Sequence, residues 1–107
     1  FSEMGVPPEA ASSLLFPVTM GWQRAAEVLF TSPWLSAADA VACGIALRVV
    51  PDGRVVDEAL ALAGRIATAP LPALRAIKAT MLAGRADAVA AARAREEAAF
   101  AHVLNLG

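Results

Sequence analysis

The sequence predicts a mainly α protein of about six helices with one short strand, and three observations carry that expectation. Apolar residues recur at helical spacing over most of the chain, Pro and Gly cut that pattern into short segments, and one β-branched run, Ile45 to Val50, breaks the period. Hydrophobic residues make up 58% of the 107 and charged residues 18%, against a usual apolar share of roughly 45 to 50% and about a quarter charged, so disorder is excluded. Much of the excess is Ala, a small residue and a good helix former.

Pro7 and Pro8 suit the threshold of a helix, where a missing N–H costs nothing, and a first short helix is expected from about Pro8 to Phe16, closed by Pro17. Gly21 opens a second, with Trp22, Ala25, Ala26, Leu29 and Phe30 on one face, ending before Ser32-Pro33. Ser36-Ala37-Ala38-Asp39 has the form of a capping box with a shortened carboxylate, and the brief helix it starts meets Gly44 at a left-handed C-terminal position. Ile45 to Val50 reads as the strand, ended by Pro51-Asp52-Gly53. Val56, Ala59, Leu60, Ala63, Ile66 and Ala67 mark an amphipathic helix from about Val55 to Thr68, broken by Pro70 and Pro72. Leu74, Ile77, Met81 and Leu82 line a helix from Pro72 to Leu82, stopped by Gly84. The last helix, Asp87 to about Leu104, is Ala-rich and weakly amphipathic, with Val89, Phe100, Val103 and Leu104 as anchors and Arg93 four residues before Glu97.

Several functions fall away. The nine Lys and Arg are scattered singly against ten Asp and Glu, so no basic stripe is available for nucleic acid. Charges interrupt every apolar stretch before the 18 or so residues that a membrane span needs. The start at Phe1 lacks a basic leader region, which predicts no signal peptide. A single cysteine, Cys43, forms no internal disulfide and fits a reducing compartment, as it would equally fit a secreted fragment; the localisation expected is cytoplasmic. Cys43 and the one His102 are far apart with no ligand spacing around them, so no metal site is expected; they read as a small buried hydrophobe and a helix-face residue. Trp22 and Trp34 read as packing residues. No Gly-rich phosphate loop, Ser/His/Asp set or CxxC occurs.

The order of the pieces says more than any one of them. Gly5-Val6-Pro7-Pro8-Glu9-Ala10-Ala11-Ser12-Ser13-Leu14-Leu15-Phe16-Pro17 precedes Gly21-Trp22-Gln23-Arg24-Ala25-Ala26-Glu27, then Leu35-Ser36-Ala37-Ala38-Asp39-Ala40 and Gly44 to Pro51. This succession resembles the C-terminal half of the enoyl-CoA hydratase/isomerase (crotonase) superfamily, from Phe1 to about Leu82. Leu35 to Pro51 is the most specific part. The resemblance implies the C-terminal helical part of a crotonase-like ββα-spiral α/β fold, whose N-terminal core would lie outside these residues. It divides the chain into 1–53, the end of that core with its active-site helix, and 54–107, a C-terminal helical region for oligomerisation, with no independent second domain.

Within the family, hydratases use a carboxylate four residues before the position of Gly5, and Phe1 stands there. The isomerase branches use one four residues after it, where Glu9 falls, and Pro8-Glu9-Ala10-Ala11-Ser12-Ser13 is similar to the Pro-Glu-Gly-x-Ser-Ser passage of the Δ3,Δ2-enoyl-CoA isomerases. The resemblance therefore implies Glu9 as catalytic base, Phe1, Met4, Gly5, Pro8 and Phe16 as substrate-binding residues, and Ser12 and Ser13 as structural. It also implies an acyl-CoA thioester as substrate, no cofactor beyond the coenzyme A of that substrate, and homotrimers or dimers of trimers. Hydration of a 2-enoyl-CoA is the alternative within the family, and a non-catalytic helical interaction module the alternative outside it.

Overall fold

Six α-helices follow one turn of 3-10 helix in the computed structural model, which describes residues 1–106. The 3-10 turn spans Ser2–Met4 and closes on Gly5. The helices are α1 (Ser12–Met20), α2 (Trp22–Thr31), α3 (Ala37–Ala42), α4 (Val55–Ala67), α5 (Leu71–Ala83) and α6 (Ala86–Leu106). α1 packs on α2 and on α6, the 3-10 turn lies against α2, and α5 touches α6.

Local signals decide most boundaries. The capping box is formed from both sides: the Asp39 N–H donates to Ser36 Oγ at 3.0 Å and the Ser36 N–H to Asp39 Oδ2 at 3.4 Å. Gly44 takes φ +83°, and a Cβ there would stand 3.2 Å from the Thr19 carbonyl oxygen, so left-handed backbone and close approach to α1 both demand glycine. Pro72 falls in the first turn of α5 rather than ending α4, since the first turn has no use for its N–H.

Two expectations are corrected. The first helix begins at Ser12, because Ala10 and Ala11 are left-handed at φ 58° and 62° and hold Pro8 to Ala11 out of the helix; Pro17 then lies inside it. Only one turn precedes Pro17, and that turn is tied from outside the helix, which offsets the missing bond. The strand over Ile45 to Val50 does not form. These residues run as bends and irregular chain, since a strand needs a partner ladder and none exists among the described residues.

The buried apolar residues are all small: Ala11, Ala25, Cys43 and Ala92. Cys43 is thus buried as expected, and His102 is exposed on α6. Trp22 and Trp34 are 73% and 99% exposed, so the packing role expected of them is not met among these residues. The apolar faces of α4 and α5, with Val56, Leu60, Ile66, Ile77 and Met81, are also open. The radius of gyration is 17.4 Å and the extents 53 × 33 × 22 Å, where a compact chain of this length would have a radius near ~13 Å. No single helix among the described residues is long and apolar enough to cross a membrane; α4 and α5 together reach the length but bend by 109°.

Candidate functional site

The segment Glu9–Ser13 joins the irregular N-terminal chain to α1, and its geometry is set by main-chain bonds. The Glu9 carbonyl accepts the Ser12 N–H at 3.0 Å and the Ser12 hydroxyl at 2.6 Å, closing a tight turn. Ala10 and Ala11 form its centre, both left-handed. Non-glycine residues there cost on the order of 1–2 kcal/mol each and persist only where surrounding contacts over-determine them.

Those contacts come from Glu96 of α6. Its Oε2 accepts the Ala11 N–H at 2.8 Å, and its Oε1 accepts the Ser13 N–H at 2.9 Å and the Ser13 hydroxyl at 2.5 Å. Glu96 is only 6% exposed, so a carboxylate buried 85 residues downstream in sequence closes the start of α1. Burial raises its pKa, but the Ser13 hydroxyl, the N–H groups of Ser13 and Ala11, and the nearby Arg95 outweigh that and hold it below the ordinary value.

On the other side of this strap lies a groove of about 750 Å³. Glu9 and Ala10 form one wall, and Arg93, Glu97, Phe100 and Leu104 of α6 the other, with Glu96 between them. The lining is mostly apolar, and the exposed Glu9 carboxylate is neither ion-paired nor hydrogen-bonded among the described residues. A carboxylate so placed can take and return a proton on a ligand lying in the groove. Arg93 and Glu97, four apart on α6, form no ion pair among these residues; the one recorded joins Arg54 and Glu58 at 3.6 Å.

Of the other residues expected at the site, Phe1, Pro8 and Phe16 are half-buried, while Met4 and Gly5 are exposed. None of the five lines the groove. Ser12 and Ser13 are structural, their hydroxyls spent on Glu9 and Glu96. The N–H groups of Ala11 and Ser13 are likewise occupied, which leaves them unable to serve as oxyanion donors. Glu96 was not legible as a site residue from composition, yet a signal existed: it interrupts the stripe of buried Ala92 and half-buried Val89, Phe100 and Val103 at i, i+3 and i+4 spacing.

Residues 1–106 match the family described as enoyl-CoA hydratase/isomerase. A Mycobacterium tuberculosis protein named as a probable enoyl-CoA hydratase is 34% identical over 76 residues, which is 71% of this chain and 27% of that protein. The rat enoyl-CoA delta isomerase 2 is 41% identical over 58 residues, 54% of this chain and 15% of that protein. The crystal structure of an enoyl-CoA hydratase/isomerase from Pseudoalteromonas atlantica superposes with a TM-score of 0.88 at 32% identity, covering 97% of this chain and 42% of that one. The chain thus spans less than half the length of the proteins it matches.

Proposed function

Because this chain belongs to the enoyl-CoA hydratase/isomerase family, we propose that it carries the catalytic base of an isomerase that converts 3-enoyl-CoA to 2-enoyl-CoA in fatty-acid metabolism. The observation that carries the reading is Glu9, a carboxylate with no competing partner whose main chain is fixed and which borders an apolar groove. Moving the double bond requires removal of a proton from C2 of the thioester and delivery of one to C4, and one carboxylate can do both in turn. The transient enolate oxygen requires preorganised donors. With the Ala11 and Ser13 N–H groups committed to Glu96, those donors belong to another part of the family fold.

Phe100 and Leu104 offer the acyl chain an apolar wall beside Glu9. Phe1, Met4, Gly5, Pro8 and Phe16 enter the reading as thioester contacts through the resemblance alone. Phe1, standing where the resemblance gives hydratases a carboxylate, favours isomerisation over hydration. The open faces of α4 and α5 fit a homo-oligomer, a trimer or dimer of trimers, and a lone Cys43 without a disulfide partner fits a cytoplasmic setting.

The test is Glu9→Gln in the full-length protein, assayed on a 3-enoyl-CoA and on a 2-enoyl-CoA. Isomerisation should fall by at least about 10³-fold, as expected when an essential base is lost, while thioester binding stays within a few-fold. Retained isomerisation, or wild-type turnover confined to hydration, refutes the assignment.

A further inference from the structure

We infer that Glu96 is a positioning residue for Glu9: by ligating the Ala11 and Ser13 N–H groups and the Ser13 hydroxyl, it holds the Glu9–Ser12 turn in the left-handed form that presents Glu9 to the groove. The inference rests on the reading of Glu9 as the base.

Three observations converge on it. First, the turn is costly by itself, because two consecutive alanines sit at φ 58° and 62°, where only glycine is at ease. Second, packing does not hold it: Ala11 is buried, but its small side chain is its whole contribution, and no large side chain is fully buried in the described chain. Third, the restraints that do act are polar and converge on one group. The Glu9 carbonyl end is closed by Ser12, and the other end by both oxygens of Glu96, from a helix that shares the groove with Glu9.

Glu96 is unsuited to be the base itself. Both its oxygens are engaged by donors, and it is buried, whereas Glu9 is exposed and unengaged. A carboxylate is also the group the geometry asks for. A main-chain N–H faces each of its oxygens, so an amide would turn its NH₂ toward an N–H on one side or the other. Because a displacement of about 1 Å at a reacting group can cost about 10²-fold in rate, a loosened turn should be felt in the chemical step.

The experiment compares full-length wild type, Glu9→Gln, Glu96→Gln and Ser13→Ala on a 3-enoyl-CoA, with kcat normalised to folded protein by circular dichroism and thioester binding measured by calorimetry. Glu96→Gln should lower kcat by about 10- to 100-fold with KM within about threefold, and Ser13→Ala, which keeps the main-chain bonds, by a smaller factor in the same direction. A merely structural Glu96 would lower the melting temperature and the folded fraction but leave the normalised kcat unchanged; that result in both variants overturns the inference, as does a loss carried by KM alone. If Glu96→Gln fails to fold, Ser13→Ala decides by the same criterion. Normal kcat in Glu96→Gln and Ser13→Ala with Glu9→Gln inactive refutes the positioning role and leaves the base intact. Activity in Glu9→Gln refutes the base, and the positioning role with it.

Discussion

Replacing Glu96 by Ala should open the start of α1 without dissolving the rest of the helix. The side chain accepts three hydrogen bonds, two from main-chain N–H groups that have no other acceptor in the turn. Hydrogen bonds to a charged group contribute roughly 1.5–3 kcal/mol each, and a buried donor left alone costs about 1–3 kcal/mol. The three are not additive, because they share one carboxylate and water can reach Ser13, which is only half-buried. An overall loss of about 3–4 kcal/mol is the reasonable figure. Peptide-resolved hydrogen exchange over residues 9–16 reads it directly, since 3–4 kcal/mol corresponds to roughly 150- to 900-fold faster exchange under local opening. The neighbouring Glu97→Ala, at an exposed position on the same helix, is the control and should leave this peptide unchanged. Equal protection in wild type and Glu96→Ala would refute the reasoning, because the N–H groups would then have some other acceptor.

Acid should have the same effect as the substitution. The folded Glu96 holds its proton more weakly than an ordinary carboxylate at 4.5, so its contribution is complete above that value and is lost as pH falls through its lower folded pKa. Protection over residues 9–16, taken relative to the intrinsic exchange rate at each pH, should therefore fall below about pH 4.5 in wild type, and much less in Glu96→Gln, which has no proton to gain there. Ala10→Gly removes a left-handed strain and should raise thermal stability, with a gain of about 1 kcal/mol partly offset by the added freedom of the unfolded chain. A lower melting temperature for Ala10→Gly would show that the turn is not strained at Ala10.

Short-range chemistry made much of the fold legible. Ser36 with Asp39, Gly44 after α3, and the apolar period from Val55 each act through neighbours within a few residues, and each formed where expected. The failures share the opposite character. Ile45 to Val50 had the composition of a strand but no partner, and Pro17 was read as a stop although the preceding turn is tied by a side chain 83 residues away. Trp22 and Trp34 had the composition of core but stay largely exposed among the described residues. At the site, the motif around Glu9 singles it out as the candidate, and the structure sets it on the border of the groove. Glu96 was not, because a charged residue on an Ala-rich helix looks solvated until tertiary structure brings Ala11 and Ser13 against it.

The scarcity of core also explains why a carboxylate should hold this turn. Apolar burial fixes a backbone when large side chains interdigitate, and here the buried apolar residues are three alanines and a cysteine. α6 is tied to α1 through Glu96, and the one fully buried residue beside it on α6 is the small Ala92, so little apolar area is available to define the angle or register between the helices. A carboxylate with donors on both oxygens defines both, since a slip of α6 by one residue would carry Glu96 about 1.5 Å along the axis and turn it by about 100°, stranding a buried charge. The desolvation cost of burying Glu96 therefore falls against the wrong registers as heavily as the hydrogen bonds favour the right one. The same register places Phe100 and Leu104 one and two turns further along the groove that Glu9 borders. One side chain thus ties the turn that carries Glu9 and the wall that faces it.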